Sequence, residues 1–426
     1  MELDILAYCN KEIHCACGRT HICPIEHVEV SCGARKQLPT ILGSFNHIFL
    51  VADTNTWAVC GNPVYDLLRI QANGCHVYER PGMLVPDERA IDELMAALPE
   101  NTDLVLGIGS GVINDLCKYV TWKKGLECAI VATAPSMDGF ASSGAAMITA
   151  GMKVTYTTHP PKYIIGDVDI IKEAPMDMIR AGYGDIIGKF SALNDWKLSR
   201  CVTGEYFCDF IYDLTYEQIR RNLELADGLQ NRDEEAVKAL MEALVVIGIL
   251  MSFAGSSRPA SGSEHHLSHF FEITGIVDGK PYLAHGLDVA YSTVITAGLR
   301  QKLLAGPFPE KRFRLSPEAY RTRMEGLYKQ VAEGCMALQE KVGNYAADRI
   351  ALYHEKEQEI RSILAEMPAP EEVEALLRKA GLSMDEFYDL YGKQKIEDAV
   401  LYSKDLKDRY TVLWLYYDLF GNEAVL

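Results

Sequence analysis

The sequence predicts an α/β domain followed by an all-helical one, and three observations predict it. Short β-prone runs alternate with helical patterns through roughly the first 170 residues, as a parallel sheet with crossovers requires. From about residue 176 onward apolar positions recur instead at helical spacing over long stretches,. Finally, 426 residues exceed what one ordinary hydrophobic core holds,. The expected division is therefore 1–175 and 176–426.

In the first half, 47–52 (HIFLVA), 75–78, 104–108 and 127–133 read as strands, and 90–98 as a helix,. Segments 146–149, 153–157 and 163–165 are also β-prone and are expected to form a small excursion from the main sheet. In the second half, 211–227, 233–253, 287–305 and 317–338 carry the helical period. The tail adds 345–367, 370–380, 384–390 and 405–419.

Composition narrows the function. Apolar residues make up 48% and charged ones 24%, the balance of a packed globular protein,. The net charge of -17 argues against a nucleic-acid partner, which needs a concentrated basic surface, yet leaves room for a small anion in a locally positive pocket,. The apolar stretch around 243–254 is expected to be too short to span a bilayer, and the start MELD lacks a basic segment with an apolar core,. A cytosolic protein without membrane insertion is the expectation.

The twelve cysteines are densest in HCACGRTHIC at 14–23. Those side chains have ligand-like spacing, but no second close cysteine pair follows at the interval a structural zinc site uses. A reduced surface strand and turn is the expectation there.

The strongest signal in the first half is LVLGIGSGVIND at 104–115. An apolar strand ends in closely spaced glycines and a helix follows, so backbone can approach phosphate oxygens at a helix N-terminus. The order of residues differs from both the usual dinucleotide fingerprint and the Gly-Lys-Ser/Thr phosphate loop. A tight turn of small residues is the plainer alternative. Asp53, after the first clear strand, can accept from an adenosine ribose and disfavours a 2′-phosphate, which points to NAD before NADP; a turn or cap role is equally ordinary. In TAPSMDGFASSG at 133–144, Thr133, Ser136 and Ser142 can donate to phosphate or amide groups, while Asp138 can accept from hydroxyls,.

The second half holds the more informative set. Asp185 lies in GYGDIIGK, where helix capping is an alternative use,. SRPASGSEHHLSH at 257–269 is followed by His285-Gly286, so four of the eleven histidines fall at 265, 266, 269 and 285. On a helix His265 and His269 share a face and His266 points elsewhere. One carboxylate and two imidazoles suit Zn, Ni, Fe or Mn with a position left for a substrate oxygen; buried, hydrogen-bonded histidines are the alternative.

These motifs together resemble the sn-glycerol-1-phosphate dehydrogenase family, within the iron-containing alcohol dehydrogenase and dehydroquinate synthase-like superfamily. The resemblance covers about residues 25–400 and rests on GIGSGVIND, TAPSMDGFASSGAA, GYGDIIGK, SRPASGSEHHLSH and HG. It implies an N-terminal dinucleotide-binding domain and a C-terminal helical metal domain. The implied metal ligands are Asp185, His265 and His285, with Asp138, Asp185 and His269 as catalytic or substrate-contacting residues. The implied cofactor set is Gly109, Ser110, Gly111, Val112, Ile113, Thr133, Ser136 and Ser142, joined by Asp53 from the reading above. His266 competes with His265 for the ligand role. Lys189 stands where some superfamily members have a further histidine, so three protein ligands are expected.

The implied reaction is metal-dependent hydride transfer between NAD(P)H and dihydroxyacetone phosphate, giving sn-glycerol 1-phosphate, in a homodimer serving phospholipid metabolism. Zn or Ni is the expected ion. Arg258 and Lys189 are candidate donors to the substrate phosphate by proximity in sequence. Three alternatives stand beside this reading. A glycerol dehydrogenase would act on the unphosphorylated polyol, a dehydroquinate synthase-like lyase would regenerate its cofactor, and a metal or nucleotide sensor would bind without turnover.

Overall fold

The computed structural model describes residues 4–421 except 81, 83, 150 and 151. The reading of the first three residues as leaderless lies outside the described residues.

The chain forms two compact units that are not consecutive in sequence: Met1–Ile186 with Arg220–Ser256, and Ile187–Ile219 with Ser257–Leu426. The first unit is built on a six-stranded sheet whose pairings are all parallel. Two short strands, β1 (Glu12–His14) and β2 (Thr20–Ile22), precede it as a separate antiparallel pair. The sheet strands are β3 (His27–Ser31), β4 (Ile48–Asp53), β5 (Ala72–Tyr78), β6 (Leu104–Gly109), β7 (Glu127–Ala132) and β10 (Tyr163–Asp167), in the order β3-β10-β7-β6-β4-β5. The intervening β8 (Gly144–Thr149) and β9 (Met152–Thr157) form a two-stranded antiparallel sheet of their own.

The central strands are buried almost throughout, β6 at all six residues and β4 and β7 at five of six, which is why they read as apolar runs. The edge strand β3 was not expected. Its HVEVS alternates half-buried and buried positions, a weaker signal than a continuous run. From β4 the chain goes to β5 on one side and then to β6 on the other. The carboxyl ends of β4 and β6 therefore flank a topological switch point, where open α/β sheets receive ligands.

Helix α1 (Glu88–Ala97) and helix α2 (Gly111–Lys124) are crossovers of this sheet. Helix α3 (Met176–Thr203) leaves the first unit after Ile186, and α4 (Asp209–Leu229) re-enters it at Arg220. Helix α5 (Glu234–Ala254) packs in the first unit, although the sequence places it in the helical half. Its length corrects the membrane argument. It has 21 residues and a mean hydropathy of 2.0 over its most apolar window, enough to cross a bilayer by length and composition, but 89% of that window is buried in the fold. A nearly all-apolar helix is what a core position demands. Asp233 caps its start, accepting from the Glu235 and Ala236 N–H groups, and Gly255 ends it at φ 68°. The second unit includes α6 (Ser263–Asp278) and α7 (His285–Leu304), and it is helical through α8 (Val412–Phe420).

Candidate metal centre and nucleotide site

At the end of β6 the backbone turns through Ser110 into α2. Ser110 is the N-cap residue but its side chain makes no capping bond, so the first N–H groups of α2 are left for an incoming acceptor. Gly109 is needed for packing as well as for the turn, since a Cβ there would sit 2.6 Å from Ile113. The Thr133 N–H donates to the Gly109 carbonyl at 3.0 Å and joins the ends of β7 and β6. Gly109, Ser110, Gly111, Val112, Ile113 and Thr133 are thus gathered at one strand-to-helix turn.

The remaining members of the expected cofactor set stand differently. Ser142 Oγ is turned to backbone, donating to the Gly139 and Gly144 carbonyls at 3.1 and 3.4 Å. Ser136 is half-buried in the loop after β7. Asp53 sits at the carboxyl end of β4, where its Oδ1 accepts from the Thr56 N–H at 2.8 Å in a reciprocal cap. The ordinary capping use of that aspartate is therefore realised, at the switch-point position a ribose contact would need. Lys118, which sequence reasoning missed, is fully buried on α2. Its Nζ pairs with Asp115 at 2.8 Å and binds the Gly139, Ser142 and Gly144 carbonyls, tying down the loop that carries Asp138. A lysine in a helix gives no sign of this from spacing alone.

Asp185 lies in the middle of α3, so it is not an N-cap. Three residues earlier the helix touches the loop after β7 backbone to backbone: a Cβ on Gly182 would lie 1.8 Å from the Pro135 carbonyl oxygen. That close approach lets the Asp138 N–H donate to Asp185 Oδ2 at 3.0 Å, which fixes the carboxylate's direction.

His265 and His269 are on α6, and His285 is the first residue of α7. The three rings are neighbours, with centroids 5.0 Å (265 to 285), 5.6 Å (269 to 285) and 6.2 Å (265 to 269) apart. Asp185, His265 and His285 each present one ligand atom, all within 4.8 Å of one another. His266 is not among them. It is fully buried, neither ring nitrogen has a hydrogen-bond partner, and burial followed by nearby Lys407 holds its pKa well below the usual imidazole value.

The carboxylate that orients His265 was hidden in a quoted motif. Glu264 Oε1 is 2.7 Å from His265 Nδ1 and also accepts from the Gly262 N–H at 2.8 Å. A carboxylate on Nδ1 is the arrangement metal-bound histidines commonly have. Burial, then the nearby Asp195 charge, raises the Glu264 pKa to about 7. Burial also pushes the His265 pKa well below its usual value, with the Lys189 charge next in size. A neutral imidazole is the form that ligates. Ser268 Oγ stands 3.3 Å from His285 Nδ1 and orients the second ring.

Arg258, one of the two candidate phosphate donors, is engaged by a carboxylate. Its guanidinium grips Glu205, Nε at 2.9 Å from Oε1 and Nη2 at 2.7 Å from Oε2, and is almost wholly buried. Lys189, buried one turn after Asp185 on α3, keeps its candidacy.

Residues 29–175 match the family model described as iron-containing alcohol dehydrogenase. The probable glycerol dehydrogenase of Sinorhizobium meliloti 1021 superposes with a TM-score of 0.61 over 94% of this chain and 96% of its own, at 15% identity. Fold and family model together define the class: an α/β unit and a helical unit of the dehydroquinate synthase-like kind. Within that class, the glycerol-1-phosphate dehydrogenase [NAD(P)+] of Halalkalibacterium halodurans is 35% identical over 67% of this chain and 73% of its own length. The Bacillus licheniformis protein of the same name is 28% identical over 96% and 94%. The chain belongs to the glycerol-1-phosphate dehydrogenase family, and it is an NAD(P)-dependent oxidoreductase.

Proposed function

We propose that this chain reversibly reduces dihydroxyacetone phosphate with NAD(P)H to sn-glycerol 1-phosphate, using one divalent ion held by Asp185, His265 and His285. The observation that carries the reading is the convergence of those three ligand atoms within 4.8 Å, on a histidine already turned by Glu264. A carboxylate with two imidazoles fits Zn, Ni, Fe or Mn; the family resemblance favours Zn or Ni. An ion bound there would polarise the ketone and stabilise the negative charge that develops on its oxygen as hydride arrives.

The chain's own residues supply the rest. The uncapped start of α2 with Gly109, Ser110, Gly111, Val112 and Ile113 would bind the cofactor pyrophosphate, with Thr133, Ser136 and Ser142 completing that wall. Asp53 would accept from the adenosine ribose and favour NAD over NADP. Asp138, whose N–H is held by Asp185, would accept from a substrate hydroxyl. His269 would orient a hydroxyl or carry the proton to and from the alcohol oxygen. Lys189 is the candidate donor to the substrate phosphate.

The family resemblance also supports a homodimer with a role in phospholipid-backbone metabolism, and the acidic composition and buried α5 support a cytosolic setting. One assay tests the core of the proposal. NADH oxidation is followed with dihydroxyacetone phosphate and with dihydroxyacetone, after chelation and separate readdition of Zn, Ni, Fe or Mn. Metal-restored oxidation that prefers the phosphorylated ketone is expected. Equal or faster turnover of dihydroxyacetone would make the enzyme a glycerol dehydrogenase, and no NADH oxidation with either would remove the assignment.

A further inference from the structure

The cysteine-rich segment at 14–23 plays no part in the chemistry above. The strands β1 and β2 flank it as a three-residue antiparallel pair, with Glu12 opposite Ile22, Ile13 opposite His21 and His14 opposite Thr20. So short a hairpin is not stable by its own hydrogen bonds, and its sequence offers little apolar surface. Ile22 is about half exposed, and the strand residue that is buried is His21, at 1% exposure. A polar side chain thus holds the position where a core hydrophobe would be expected.

The turn between the strands is built to bring two sulfurs together with that ring. The Cys15 N–H donates to the Arg19 carbonyl at 3.1 Å and the Gly18 N–H to the Cys15 carbonyl at 3.0 Å, with Gly18 in the left-handed region at φ 84°. Cys17 Sγ comes to 3.5 Å from His21 Nε2. The other nitrogen, Nδ1, donates to the Phe253 carbonyl at 3.0 Å, and the ring stacks on Phe253 at 5.3 Å. That bond fixes the tautomer with a lone pair on Nε2, which faces Cys17 Sγ, as outer-shell partners of ligating histidines do. The fourth member comes from far along the chain. Cys208, fully buried, immediately precedes α4, and its Sγ joins those of Cys15 and Cys17 and a ring nitrogen of His21 in a group whose atoms all lie within 4.8 Å.

We propose that Cys15, Cys17, His21 and Cys208 form a closed structural site for Zn2+, distinct from the catalytic one. Three thiolates and an imidazole are the donor set of a tetrahedral structural zinc, with no position left for substrate. All twelve cysteines are reduced in the structure, so these sulfurs are not committed to disulfides. The neighbouring candidates are excluded by their surroundings. His14 Nδ1 bonds Thr20 Oγ1 at 3.0 Å on the exposed side of the hairpin. Cys23 is buried and stands outside the group of converging ligand atoms. The sequence points to a simple reduced turn because the fourth candidate ligand is not a nearby cysteine pair but Cys208, far along the chain.

The test is cobalt substitution in the full-length enzyme. Zn2+ is replaced by Co2+, and thiolate-to-metal charge-transfer absorption is recorded together with metal content. The Asp185, His265 and His285 group has no sulfur, so such bands report this site alone. Wild type and His265→Ala should show them. Cys17→Ser and Cys208→Ser should lose them along with one metal equivalent, and Cys208→His should keep metal with weaker sulfur bands. X-ray absorption of the zinc-loaded wild type should show sulfur neighbours at about 2.3 Å, which needs no variant to fold. Absence of sulfur ligation in the loaded wild type, or unchanged bands in Cys208→Ser, would overturn the proposal.

Discussion

The two donor clusters of this protein differ in their atoms and in their surroundings. Asp185, His265 and His285 offer one oxygen and two nitrogens, with His269 beside them. Cys15, Cys17, His21 and Cys208 offer three sulfurs and one nitrogen. The first set suits a Lewis acid that must also accept a substrate oxygen; the second saturates a tetrahedral ion. The orienting partners differ too. His265 leans on an ionisable carboxylate, Glu264, whereas His21 leans on the Phe253 backbone carbonyl.

Removing a ligand from the Asp185, His265 and His285 cluster should break the comparison most visibly. His265→Ala or Asp185→Asn should lower turnover of dihydroxyacetone phosphate by about a thousandfold, the scale of a lost Lewis acid worth several kcal/mol. His266→Ala should retain the metal, which inductively coupled plasma analysis of the two histidine variants checks. Glu264→Gln acts one shell out. It should weaken metal affinity by about 10- to 100-fold, the usual effect of an outer-shell partner, measured by competition with a chelator. An unchanged affinity would remove Glu264 from the orienting role.

The smaller effects concern the surroundings of the open cluster. Asp53→Gly should narrow the preference for NADH over NADPH, read as the ratio of kcat/KM values; an unchanged ratio would leave Asp53 only its helix cap. Asp288 lies one turn after His285, and Tyr391 donates to it at 2.9 and 3.1 Å. Burial raises its pKa well above the usual carboxylate value. The folded state then keeps a proton that the unfolded chain has released, so this residue's contribution to stability falls as pH rises above the ordinary aspartate range. Asp288→Asn should flatten that fall in chemical-denaturation midpoints measured across pH. A steeper fall in the variant would contradict the burial argument.

What the sequence made legible follows the range of the interactions. The β6 run, the glycine turn and the start of α2 are contiguous, and periodicity and turn chemistry read them directly. His265 and His269 share a helix face by spacing, and family resemblance added His285 and Asp185. By contrast, β3 alternates too weakly to stand out, and α5 joins the sheet unit through packing that no local pattern declares. Glu264 was in view, but its role depends on which way His265 Nδ1 points. Arg258 is a candidate only by proximity in sequence, and the fold pairs it with Glu205. Cys208 is the extreme case, a single cysteine whose meaning exists only once the chain is folded.

The most direct test of the account measures dihydroxyacetone phosphate-dependent NADH oxidation and the cobalt–thiolate spectrum on the same preparations of wild type, His265→Ala and Cys208→Ser. The account predicts a double dissociation: His265→Ala loses turnover and keeps the sulfur bands, while folded Cys208→Ser loses the bands and keeps turnover. Full turnover with normal metal content in His265→Ala would contradict it.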